Sequence, residues 1–106
     1  MTAYAVAHLN NVDLCADVVE YLERIDDTLE PFGGRFVVHG ARPDVCEGEW
    51  HGDLIMVAFP DLAAARAWYG SDAYQRILPL RLQHASGSVI LIDGVDEHHK
   101  ATDILA

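Results

Sequence analysis

Leu54-Ile55-Met56-Val57-Ala58-Phe59, followed by Pro60-Asp61, is the stretch on which the fold turns. Six consecutive apolar residues closed by a proline read as one short strand. Side chains alternate across a strand, so Leu54, Met56 and Ala58 face one way and Ile55, Val57 and Phe59 the other. A sheet with helices on one side and water on the other should alternate apolar and polar residues. This strand does not, and neither does Ser88 to Asp93, where Val89 and Leu91 oppose Ile90 and Ile92. Both faces therefore need cover, and the helices of so short a chain supply only one. A second copy of the same sheet is the simplest cover, which predicts a homodimer through the sheet face.

Working outward, residues 3–9 (Ala-Tyr-Ala-Val-Ala-His-Leu) form a first strand. Asp13 is placed to cap a helix, with Asp17 favoured in its first turn by the helix dipole. Cys15, Val18, Leu22, Ile25, Leu29 and Phe32 then recur at spacings of three and four, giving one apolar stripe, and Gly33-Gly34 offers a left-handed stop. Glu20, Glu23, Asp27 and Glu30 mostly fall outside the stripe and read as a solvated face. Arg35 to His39 is a second strand, and Gly40 to Gly52 a polar excursion. Asp61 caps a helix over Leu62 to Tyr69, and Ser71-Asp72 starts another stretch that Pro79 should interrupt or restart. The order β-α-β-β-α-β is that of a ferredoxin-like α+β domain with a four-stranded antiparallel sheet, over residues 1–95, with a polar tail at 96–106.

At 106 residues the chain is one domain, and its 17 acidic against 7 basic side chains give a formal net charge of −10. Such a charge repels phosphate backbones and anionic headgroups, which argues against nucleic acid and membrane partners. No apolar run approaches the roughly 20 residues of a bilayer span. The first residues lead straight into a strand pattern without a signal-peptide core, and Cys15 and Cys46 lack a disulfide or CxxC framework. A cytoplasmic protein with reduced thiols is the expectation.

Several motifs resemble the bacterial family catalogued as domain of unknown function 1330. They are Ala3-Tyr4, Gly33-Gly34-Arg35-Phe36, Glu47-Gly48-Glu49-Trp50, Phe59-Pro60 and, above all, Ala64-Ala65-Arg66-Ala67-Trp68-Tyr69-Gly70-Ser71 with Tyr74, Gln75 and Leu80-Arg81. The likeness spans about residues 2 to 95. It implies the dimeric α/β-barrel superfamily, which includes cofactor-free monooxygenases, lactone isomerases, cyclases and haem-handling proteins. The chain departs from the family pattern at Asp53 and Ala58, where an arginine and an acidic residue are usual. It departs again at His39-Gly40-Ala41, in place of Arg-Gly-Gly.

Six histidines are many for this length. His8, on the face of Tyr4 and Val6, and His39, placed on the face of Arg35 and Val37, are candidate general bases. Each is also a plausible hydrogen-bonded strand-end histidine. Arg35 and Arg81 are candidates to clasp a carboxylate or enolate oxygen, against the alternative of a surface ion pair. Tyr69 and Tyr74 suit the wall of a pocket for a flat ligand, Trp68 suits the core, and Trp50 and His51 lie where a lid or partner contact would sit. His98-His99 has metal-friendly side chains but no second cluster, so no metal site is expected, and His84 reads as a complement to a helix end. GxGxxG, GxxxxGK[ST], HExxH and GxSxG are all absent, so no cofactor is called for.

Two functions of different class follow. One is a cofactor-independent enzyme on a small, partly apolar metabolite, performing isomerase- or cyclase-type proton transfer or monooxygenation. His39, His8 and Arg35 would be its catalytic groups, and Tyr69, Tyr74, Arg81 and Trp50 its substrate contacts. The other is a non-catalytic small-molecule-binding or accessory homodimer.

Overall fold

A computed structural model describes residues 1–106. The elements are β1 (Ala3–Asn10), α1 (Ala16–Leu29), β2 (Arg35–Val38), β3 (Asp53–Phe59), α2 (Leu62–Tyr69), α3 (Asp72–Leu82) and β4 (Ser86–Asp93), with a final 3-10 turn at Ala101–Leu105. The strands form one sheet in the order β2-β3-β1-β4, every neighbour antiparallel. This is the ferredoxin-like α+β topology expected from the element order.

Local chemistry explains most of the boundaries. Asp61 Oδ1 accepts the Ala64 amide at 2.7 Å to open α2, and Ser71 Oγ accepts the Tyr74 amide at 3.3 Å to open α3. After α1 the chain tightens into a 3-10 turn (Glu30–Phe32), and Gly33 ends it at φ 70°. Gly34 then passes so close to Phe59 that a Cβ there would fall 2.7 Å from the ring.

Three boundaries differ from expectation. Cys15, not Asp13, occupies the N-cap position of α1, and its side chain makes no cap bond; the Asp13 amide instead donates to the His84 carbonyl at 2.9 Å. Helix α3 runs through Pro79 without a break. Pro79 and Gln75, whose carbonyl loses its amide partner, are both exposed, so water can replace the missing bond. In β2 the register slips between Phe36 and Val38, a bulge that redirects everything after it.

The pairing fixes the two faces of the sheet. Ala3, Ala5 and Ala7 of β1 lie opposite Phe59, Val57 and Ile55 of β3, and this face packs under the helices. Phe59, Trp68, Tyr74 and Ile77 are almost wholly buried between the layers. The other face carries Tyr4, Val6, Leu54, Met56, Ile90 and Ile92, and Ile90 and Ile92 are about half exposed, at 51% and 49%. The helices leave it bare.

Candidate binding cavity between α1 and the sheet

On the helix-covered face the central strand β1 presents two methyl groups in succession, Ala5 and Ala7, before Leu9. Larger residues there would fill the interlayer space, as tight packing elsewhere does. Instead a cavity of about 190 Å³ remains, and 15 of its 19 lining residues are hydrophobic. Its rim is formed by exposed residues, notably Leu14, Leu22, His39 and Asp53. Its inner end is formed by the buried side chains of Tyr21, Trp68, Tyr74 and Arg81.

Helices α1 and α3 supply that inner polar end. Tyr21 and Tyr74 join their hydroxyls at 2.8 Å, with rings edge to face at 6.1 Å. The Arg81 guanidinium lies 5.7 Å from the centre of the Tyr21 ring. Only 7% of Arg81 is accessible, yet it belongs to none of the chain's ion pairs. Burial opposes its charge, and the phenolic oxygens of Tyr74 and Tyr21 outweigh that, so its pKa is raised. Burial, followed by the neighbouring Tyr74, raises the pKa of Tyr21 well above the ordinary phenol range. Trp68 Nε1 donates to Thr28 Oγ1 at 3.0 Å and Thr28 donates to the Ile25 carbonyl, which leaves the remaining wall apolar.

His39 reaches the rim by way of the β2 bulge. The expectation set it beside Arg35 and Val37, but after the slip it stacks on Phe36, centroids 4.4 Å apart and planes within 17°. Phe36 and His39 both line the cavity. The candidates thus divide. His39, Tyr74 and Arg81 share one cavity, together with Tyr21 and Asp53, for which the sequence pattern carries no signal of a pocket. Tyr69 packs against Trp68 and Tyr74 just behind the cavity wall. His8 and Arg35 occupy register positions on the opposite, bare face of the sheet. There His8 stacks on Trp50 at 4.7 Å, and its Nε2 lies 2.6 Å from the His51 carbonyl. His8, Arg35 and Trp50 therefore do not meet the cavity.

Side chains with metal-ligating atoms gather at one place, the start of α1. Donor atoms of Asp13, Cys15 and His84 lie within 4.8 Å of one another, while His84 Nε2 sits 3.1 Å from Asp17. No helix is long and apolar enough to cross a membrane.

Over residues 2–95 the sequence matches the family described as Domain of unknown function (DUF1330). No curated protein matches it. Among solved structures the chain is similar to methylated RPA0582, with a TM-score of 0.66 and 15% identity over 92% of this chain and 84% of that one. A second structure of RPA0582, a protein of unknown function from Rhodopseudomonas palustris, gives a TM-score of 0.65 at 16% identity, covering 90% and 83% of the two chains. An antibiotic biosynthesis monooxygenase gives 0.52 at 19% identity, covering 91% of this chain and all (100%) of that one. At such identities these likenesses speak to the fold.

Proposed function

The chain belongs to the DUF1330 family, and on that premise we propose that it is a cofactor-independent enzyme acting on a small, partly apolar metabolite in the cavity between α1 and the sheet. One observation carries the reading. A largely apolar cavity ends in converging polar groups and has an imidazole at its rim. An imidazole can accept and return a proton near neutral pH, and His39 is placed to do so for a ligand entering past it. Arg81, with the Tyr21–Tyr74 pair, would stabilise the oxyanion formed by deprotonation next to a carbonyl. That first step serves isomerisation and cyclisation alike. It would also start an oxygenation by molecular oxygen, and one structural neighbour is described as an antibiotic biosynthesis monooxygenase.

A second reading, the non-catalytic binder, has its own support. His39 is positioned by stacking on Phe36, without a hydrogen-bonded carboxylate to orient it. A thermal-shift screen of small carbonyl compounds, followed by product analysis on each hit, separates the two. The enzyme reading expects turnover in the wild type and a loss of at least about a hundredfold in His39→Gln, with the ligand-induced shift retained. Hits without turnover would assign the protein to the binder class. The absence of any hit would remove the cavity from consideration.

The same proposal includes a homodimer through the bare sheet face, in which His8 and Trp50 become interface residues. Its support is the apolar face left bare by the helices, partly exposed at Val6, Leu54 and Met56 and about half exposed at Ile90 and Ile92. Light scattering at micromolar concentration should return twice the chain mass of 11.7 kDa. A stable 11.7 kDa species would overturn it.

A further inference from the structure

Arg81 is a cation with almost no access to water and no carboxylate partner, in a chain that carries 17 acidic residues. No acidic side chain comes within ion-pair distance of it, and Asp53, which lines the same cavity, stands at the exposed rim. Burying a guanidinium without a carboxylate is costly, and here the Tyr21 ring and the phenolic oxygens of Tyr74 and Tyr21, all neutral partners, offset that cost. No counter-charge accompanies those neutral partners, so the guanidinium can still take a bound anion through charge-assisted hydrogen bonds.

The two phenols point the same way by proton count. Tyr21 and Tyr74 carry two hydroxyl protons between them, and the 2.8 Å bond uses one. The other remains to be donated, at the inner end of the cavity that Arg81 also lines. A guanidinium edge plus one phenolic O–H matches a planar monoanionic oxyacid, whose two oxygens accept from a few donors at once. A phosphate group would ask for more donors than these.

The rest of the cavity sets the body of the ligand. An apolar cavity of roughly 150 Å³ accepts a benzene ring. The present one, at about 190 Å³, has space for a ring and one small substituent, against walls such as Ala5, Ile25, Val57 and Val89. We infer that the cavity takes a monocyclic aromatic, or similarly compact aliphatic, carboxylate or enolate, its oxyanion held by Arg81 and the Tyr21–Tyr74 pair. The inference rests on the cavity being the binding site, as proposed above.

Calorimetric titration of wild-type protein with benzoate and with benzamide, its neutral isostere, tests it without any variant. Benzoate should bind at least tenfold more tightly than benzamide. In Arg81→Gln, shown to be folded by its thermal transition, that preference should vanish, and Arg81→Lys should recover part of it. Benzamide binding as tightly as benzoate would overturn the anionic class while leaving the cavity as a site for neutral ligands. Benzoate binding equally well to folded Arg81→Gln would overturn the role of Arg81. Failure of both compounds to bind would overturn the cavity reading itself.

Discussion

Inside the helical layer the Tyr21 phenol loses its water and meets Tyr74 across a 2.8 Å hydrogen bond. Burial first, and Tyr74 second, hold its proton on well beyond the ordinary value near 10, against a smaller opposite pull from Arg81. Folded chain therefore keeps this proton to higher pH than unfolded chain does. The associated stability is complete below pH about 10 and is lost as pH climbs from there toward the folded value. Urea unfolding between pH 9 and 11.5 should show stability falling, and Tyr21→Phe should flatten that fall by up to about 1.4 kcal/mol per pH unit. An unchanged slope would mean that Tyr21 titrates normally in the fold. At neutral pH the same substitution should cost about 1–2 kcal/mol, because the partner hydroxyl loses its bond. Tyr21 was not legible in the sequence, although Tyr74 and Arg81 were. The spacing of three and four selected Leu22, which proves 40% exposed, whereas Tyr21 and Thr28 are buried. A helix wedged between a sheet and a second helix buries a wider arc than one stripe, and that arc also takes hydroxyls able to find partners.

Capping separates legible from illegible sequence at the scale of the element. Asp61 and Ser71 were readable because each lies directly before its helix and accepts the amide three residues on. Asp13 offered the same side-chain chemistry, but the chain stays extended through Cys15 before α1 starts at Ala16. The two aspartates should accordingly differ under mutation. Asp61→Ala should lower stability by about 1 kcal/mol, and Asp13→Ala by less than about 0.5 kcal/mol, in the same chemical denaturation assay. Equal losses would contradict this assignment of the caps. The β2 bulge is the harder case. Arg35-Phe36-Val37-Val38-His39 contains no glycine to advertise a slip, and strict alternation put His39 on the wrong face. That one extra residue carries His39 from the bare face to the cavity rim.

As a whole the molecule is flat, 47 × 36 × 18 Å, with a radius of gyration of 15.1 Å. A compact domain of this length would have about 13 Å. The exposed 39–52 excursion and the C-terminal tail lie outside the packed layers, and one face of the sheet is bare. The two-faced apolar strands that decided the fold thus have two distinct destinations. Ile55, Val57 and Val89 roof or floor the cavity, while Met56, Ile90 and Ile92 face away from it toward the proposed second copy. Methyl NMR resolves these two sets in one experiment, with benzoate or benzamide added to the intact protein. The methyl signals of Ile25, Ile55, Val57 and Val89 should shift on binding, and those of Met56, Ile90 and Ile92 should stay in place. Shifts confined to Met56, Ile90 and Ile92, or no shifts at all, would contradict this assignment.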